Sequence, residues 1–222
     1  MLLGAVLSTA SLIFIFSRYD VQGADISAFV LFWTSLIAHL PFSVGYHLFL
    51  PISVTVYNYW RRLDISFVLI MSIQLTYGMS YFVYPHLWQT LLATGLVAIV
   101  SALGIRTVYT FADGQHLERS KVTRWIGLSA LGYYFPIVYQ AVLDGNHGVW
   151  SVPFVAAFVV PASLAGGAYI YEVHFPERFM PGKLDIVGNS HLWMHFGVIS
   201  AHLMGFCFVL HNYLRRTGQL ST

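Results

Sequence analysis

The sequence contains few charged residues and almost no cysteine. Only 9% of its 222 residues are Asp, Glu, Lys or Arg, whereas soluble domains carry about 25%. Cys207 is the single cysteine, which excludes a secreted domain stabilised by internal disulfides. The formal net charge of +2 is too small to predict a nucleic-acid partner. This composition excludes a soluble globular domain.

Apolar and aromatic residues take the place of the missing charge. Hydrophobic residues make up 57% of the chain and aromatic residues 17%, and the mean hydropathy is +0.68. So few polar residues could not cover the surface of a globular protein in water. Disordered chains are excluded as well, because they are poor in apolar residues and rich in charge. We therefore predict a multi-pass integral membrane protein, in the plasma membrane or in an internal membrane.

Uncharged stretches predict seven transmembrane helices, since a helix needs about 20 apolar residues to cross the hydrocarbon core. The stretch from Ile65 to Ile105 would be about 60 Å long as one helix, roughly twice the core, so it must turn back near Pro85. The stretch after Ile26 is too short for two crossings. We predict one helix from Ile26 to Leu50, and then an interfacial Tyr/Trp segment before a third helix that begins at Asp64.

The predicted fold class is therefore all-α, a seven-helix membrane bundle that forms a single domain over residues 1–222. Basic residues set its orientation, because positively charged loops stay in the cytoplasm. The amino-terminal side carries eight of them and the opposite side only three, Arg18, Arg215 and Arg216. We predict a cytoplasmic amino terminus and an extracellular or lumenal carboxyl terminus. Small residues around Ser163 and Gly167 predict close helix packing in the sixth helix.

Histidines are the main candidates for chemistry, because ionisable groups inside a membrane are usually functional. His191 and His195 open the predicted seventh helix four residues apart. This spacing places their Cβ atoms about 6 Å apart on one face, close enough to share a metal ion. Hydrogen bonds from each histidine to neighbouring helices are an equally good interpretation of the spacing alone.

Topology adds further candidates at the predicted cytoplasmic ends of the second and third helices. His47 and Asp64 are expected in the same membrane layer as His191 and His195. Three neutral imidazoles and an open fourth position suit a catalytic zinc ion, and Asp64 is placed to hold or deprotonate the bound water. Ser43 lies one turn before His47 and is placed to hydrogen-bond that water or a substrate carbonyl.

Other polar residues compete with this interpretation. His39 is a rival to His47, but it lies about 12 Å deeper along the helix, so we expect a polar contact inside the bundle. His39 and His202 provide an alternative, in which two deep histidines hold a haem in a redox protein. Asp144 and Glu172 lie near helix ends and are expected to be solvated.

A family resemblance follows from two motifs. The stretch Phe175 to Ile186, FPERFMPGKLDI, is followed by Ser190, His191 and His195. Together they resemble the loop and the Ser-His-x-x-x-His motif of the progestin and adipoQ receptor (PAQR) family, within the alkaline-ceramidase-like group of membrane hydrolases. A second motif of that family resembles Ser43, His47 and Asp64, including the distance from His to Asp. The resemblance favours His47 over His39.

The resemblance implies a zinc ion bound by His47, His191 and His195, with Asp64 and Ser43 as catalytic residues. It also implies a receptor for a steroid or an adiponectin-like hormone, and hydrolysis of a lipid amide such as ceramide. A receptor with a purely structural zinc site is the alternative. The acidic and Asn-x-Thr-His motif that usually precedes the first helix of the family is absent, so we expect that helix to be truncated.

Overall fold

The structure is a computed structural model that describes residues 2–49, 51–110, 119–146, 150–180, 182–184 and 188–220. Within these ranges all regular secondary structure is helical, which confirms the predicted all-α class. The elements are α1 (Leu2–Arg18), α2 (Asp25–Phe49), α3 (Val54–Tyr81), α4 (Leu87–Tyr109), α5 (Arg119–Asn146), α6 (Val152–Glu172), a 3-10 turn (Glu177–Phe179) and α7 (Ser190–Arg216).

Six of the helices, α2 to α7, are long and apolar enough to cross a membrane, and α1 is a shorter apolar helix. Exposed side chains agree with this assignment. Along α4, Leu91, Leu92, Leu96 and Ile99 are each more than half exposed, which is unfavourable in water but suits a surface that faces lipid. The chain is a multi-pass integral membrane protein, as predicted, while the orientation stays a prediction.

The third helix begins earlier than predicted. Ser53 caps α3 by accepting a hydrogen bond from the backbone N–H of Val56, at 3.2 Å, and such caps fix a helix start. The predicted helix start at Asp64 was therefore wrong, because Tyr57 to Trp60 belong to the helix, while their interfacial position stays a prediction. Leu50, the predicted end of the second helix, lies outside the described residues. The predicted turn near Pro85 is confirmed.

The chain divides into two compact units, one up to Pro136 and one from Ile137 onwards. In the first unit α2 packs against α1 and α3, and α3 packs against α4. The start of α5 joins this core, since the Ser129 hydroxyl donates to the Ser72 hydroxyl of α3 at 3.1 Å. Around these contacts lies an apolar cluster formed by Ile65, Leu69, Val108 and Val122.

The second unit contains the end of α5, α6, the 3-10 turn and α7. Two glycines let α6 and α7 approach closely, as the small residues predicted. A Cβ atom on Gly197 would lie 2.4 Å from the Ser163 carbonyl oxygen, and one on Gly167 would lie 3.3 Å from Met194 Cα. Close approach of backbones is how helices gain packing energy in lipid.

Asp144 is not solvated, so that prediction was wrong. Its side chain is 2% exposed and accepts hydrogen bonds from Arg215 at 2.6 Å, from Gln140 at 2.9 Å and from Ser151. The prediction failed because it assumed that a carboxylate near a helix end faces solvent, whereas Asp144 lies beside Arg215 of α7. Glu172 is exposed, as predicted.

Candidate functional site

His191 and His195 form a close pair on the first two turns of α7. Their Nε2 atoms are 3.0 Å apart and their ring centroids 4.7 Å apart, and both residues are half-buried. Two nitrogens bound to one tetrahedral zinc ion lie about 3.3 Å apart, so this pair has the separation of two ligands of a single ion. Without an ion, one Nε2–H donates a hydrogen bond to the other Nε2.

Hydrogen bonds to the backbone fix the start of α7, the helix that carries this histidine pair. Asn189 caps α7 by accepting a hydrogen bond from the backbone N–H of Leu192, at 3.0 Å. Glu177 of the 3-10 turn accepts from the backbone N–H of Ser190 at 2.7 Å and from the Ser190 hydroxyl. An acidic side chain at a helix N-terminus is favourable, because unpaired N–H groups point toward it. Glu177 therefore helps to orient the turn that carries His191.

This role of Glu177 was not predicted from the sequence. Glu177 was noted there only as part of a motif, without the partner that lies thirteen residues further along the chain. The available signal was an acidic residue upstream of an Asn-Ser helix start. The ring of Tyr171, at the end of α6, also supports the pair, because it meets the His191 ring edge-on with centroids 5.2 Å apart.

Ser43 and His47 lie in the last two turns of α2, in the first unit. Ser43 is buried with 2% of its surface exposed, whereas His47 is exposed. The neighbouring Tyr46 contacts Tyr57 of α3, with hydroxyl oxygens 3.5 Å apart. The end of α2 is therefore held against the beginning of α3, and it presents His47 at the surface.

Asp64 pairs with His39 of α2. The Nε2–H of His39 donates to Oδ1 of Asp64 at 2.8 Å. His39 lies ten residues before the end of α2 and Asp64 ten residues after the start of α3, so both are about 15 Å from the turn between these antiparallel helices. The expected start of α3 at Asp64 was wrong, because α3 starts at Val54, while a common layer for Asp64 and His47 stays a prediction.

Asp64 also lies within electrostatic range of the His47 ring. Side chains on a helix lean toward its N-terminus, so His47 on α2 leans inward and Asp64 on α3 leans toward the turn. These directions point the two functional groups toward each other along the helix axes. The prediction that His39 makes a polar contact is confirmed by its bond to Asp64.

The haem interpretation gains no support from the structure. Haem iron takes histidine nitrogen as an axial ligand, and the Nε2 atom of His39 is already bonded to Asp64. His202 is buried in α7, with 8% of its surface exposed. Its burial fits a packed polar residue within the second unit.

Comparisons with known proteins agree with the motifs. The sequence matches the model of the haemolysin-III-related (HlyIII) family over residues 2–206. The adiponectin receptor protein of Drosophila melanogaster is 26% identical over 210 residues, which cover 90% of this chain and 46% of that protein. The human membrane progestin receptor gamma is 26% identical over 151 residues, which cover 64% of this chain and 42% of that protein.

A third relative, the progestin and adipoQ receptor-like protein 1 of Caenorhabditis elegans, is 27% identical over 189 residues, or 82% of this chain and 42% of that protein. The chain thus spans less than half the length of these curated relatives. The family match includes α1 to α6 and most of α7. The chain is a membrane protein that belongs to the haemolysin-III-related family, and its predicted membership of the progestin and adipoQ receptor family is confirmed.

Proposed function

We propose that this protein is a progestin and adipoQ receptor-type membrane protein that binds zinc and hydrolyses a lipid amide such as ceramide. The observation that supports the proposal is the His191–His195 pair, whose Nε2 atoms are 3.0 Å apart. Two neutral imidazoles at this separation suit one zinc ion, and zinc sites that perform hydrolysis keep three protein ligands and an open position.

His47 is proposed as the third ligand. It offers an exposed imidazole at the end of α2 and lies at the position that resembles the family motif. Zinc, when bound, lowers the pKa of a bound water to about 7 and polarises a carbonyl group. Asp64 would accept the proton of the attacking water, and the buried Ser43 hydroxyl would donate a hydrogen bond to the substrate carbonyl.

The substrate is proposed to be an amide with long apolar chains, which reaches the protein from within the bilayer. Exposed leucines along α4 and exposed aromatic residues such as Phe158 on α6 are consistent with direct contact between helices and lipid chains. Hydrolysis of such an amide releases a fatty acid and an amine with a long alkyl chain. Ceramide is the member of this class that the resemblance suggests.

Replacing the pair tests the proposal. Purified His191→Ala and His195→Ala variants should each lose most bound zinc and most fatty-acid release from ceramide in detergent micelles. The matched control is His202→Ala on the same helix, which should keep both, provided that it elutes as a monodisperse species. Zinc content and turnover that match the unmodified protein in both pair variants would contradict the proposal.

A non-catalytic receptor with a structural zinc site is the second candidate. Two observations favour it: the relatives are named as receptors, and Asp64 already has a structural partner in His39. Its ligand would be a steroid or an adiponectin-like polypeptide, which are the partners that the names of those relatives suggest. Asp64→Asn separates the candidates. A hydrolase should lose turnover on this substitution. A receptor with a structural zinc site should keep ligand binding and should show no turnover either before or after the substitution.

A further inference from the structure

The His39–Asp64 pair places two ionisable groups in the membrane-spanning part of α2 and α3. His39 is 5% exposed, and the side chain of Asp64 is 22% exposed. Ionisable residues in this environment are costly and are usually retained for a function. Asp64 has a role in the proposed hydrolysis, whereas His39 has none so far. Their 2.8 Å hydrogen bond connects the two residues directly.

The bond also identifies which nitrogen of the His39 ring acts as the donor. An ionised carboxylate can only accept hydrogen bonds, so the hydrogen must lie on Nε2 of His39. The other ring nitrogen, Nδ1, is buried and has no hydrogen-bond partner among the described residues. A hydrogen there would leave a buried donor unpaired, which is more costly than a bare lone pair. The Nε2–H of His39 is thus the ring donor that is directed at Asp64.

Asp64 depends on that donor. Among the described residues, His39 supplies the one side chain that hydrogen-bonds Asp64. The bond fixes Oδ1, which leaves Oδ2 as the oxygen that accepts a proton. A catalytic base has to be held within hydrogen-bond reach of the proton that it abstracts. Without His39, the Asp64 side chain could rotate away from that geometry.

We propose that His39 is a positioning residue for Asp64, in which the Nε2–H of His39 holds Oδ1 so that Oδ2 faces the attacking water. This inference rests on the proposed function. The water oxygen forms a bond to the amide carbon while its proton moves to Oδ2 of Asp64. The same proton then passes to the amide nitrogen as the carbon–nitrogen bond breaks, which releases a fatty acid and an amine. His39 keeps its own proton throughout.

The test compares three substitutions of His39 through kcat and KM for ceramide hydrolysis. His39→Leu removes the donor, and kcat should fall about tenfold to a hundredfold, the range for a lost hydrogen bond to a charged group. KM should change less than about twofold, because the substrate does not touch His39. His39→Gln places an amide N–H near the Nε2 position and should recover most of kcat, whereas His39→Asn is too short and should not.

The Gln and Asn variants keep the test decisive even when His39→Leu does not fold, since both retain a polar side chain. Gln74→Leu is the matched control, because it removes another polar contact between α3 and α2, the 3.2 Å bond to Thr34, and should leave kcat unchanged. Equal kcat values for all His39 variants and the unmodified protein would overturn the positioning role alone. No turnover in the unmodified protein would overturn the proposed function and this inference together.

Discussion

Two carboxylates inside the helical segments, Asp64 and Asp144, are held in different ways. Asp144 in the second unit is 2% exposed and has three donors: Arg215, Gln140 and Ser151. Asp64 in the first unit is 22% exposed and has His39 as its donor. A carboxylate has about four acceptor positions, so Asp144 is nearly saturated while Asp64 keeps capacity for another partner.

The difference agrees with a structural role for Asp144 and with the catalytic role that we propose for Asp64. Asp144 connects the end of α5 to the start of α6 and the end of α7, so its three hydrogen bonds fix local packing. Asp64 keeps an oxygen that can receive a proton, which a general base requires. Substitution of Asp144 should therefore mainly affect stability, and substitution of Asp64 should mainly affect turnover.

The largest expected effect on stability comes from Asp144→Ala. Removing one partner of a buried ion pair leaves the other without compensation, and we expect a loss of about 3 to 5 kcal/mol in the free energy of unfolding. Thermal unfolding in detergent micelles measures this change. Glu172→Ala is the control, because that carboxylate is exposed and its loss should cost less than about 0.5 kcal/mol. Similar melting temperatures for both variants would contradict a structural role of Asp144.

Gly197→Ala should have the next largest effect, because the second unit also depends on close backbone approach. The new Cβ would lie 2.4 Å from the Ser163 carbonyl oxygen, and backbone cannot move aside cheaply, so we expect a loss of about 2 to 3 kcal/mol. Gly166→Ala on α6 is the control, since a Cβ there has no neighbour within 4 Å and should stabilise the helix by up to about 1 kcal/mol.

If Gly197→Ala melted at the same temperature as Gly166→Ala, the contact between α6 and α7 would be looser than the structure gives. The zinc content of Gly197→Ala provides a second readout. Gly197 lies two residues beyond His195 on α7, so displacement of α7 should also disturb the histidine pair.

The helices and the His191–His195 pair were predictable from sequence, because they depend on local patterns. Long uncharged stretches define the spans, and a spacing of four residues places both rings on one face of α7. The partner of Asp64 was not predictable in this way. It depends on where α3 starts, and the Ser53 cap moves that start ten residues ahead of Asp64.

The partners of Asp144 illustrate the same limit. Arg215 lies 71 residues away in the chain, and no local pattern connects the two residues. Asp144 was expected to be solvated near a helix end, and Arg215 was assigned only to the basic residues on the side of the carboxyl tail, because charged side chains are usually exposed. Tertiary packing overrides this preference when a carboxylate finds enough donors to replace water.

A double-mutant cycle measures how strongly His39 and Asp64 are coupled. His39→Leu should cost about 1 to 2 kcal/mol in the free energy of unfolding, since it leaves a half-buried carboxylate without its donor. The double variant His39→Leu/Asp64→Leu should lose no more free energy of unfolding than His39→Leu alone, because neither member of the pair is then left without its partner. Costs that simply add would show that the two residues stabilise the protein independently.

Gln74→Leu should have the smallest effect and shows why charge matters in this comparison. Gln74 donates to Thr34 at 3.2 Å, but its buried Oε1 has no hydrogen-bond partner among the described residues. Leucine removes a weak neutral bond and an unpaired acceptor together, so the two terms nearly cancel and stability should change by less than about 0.5 kcal/mol. Thermal unfolding beside His39→Leu checks this. If Gln74→Leu lowered the free energy of unfolding as much as His39→Leu, then a neutral polar contact between α2 and α3 would stabilise the protein as much as the His39–Asp64 bond. The charge of Asp64 would then make no difference to stability.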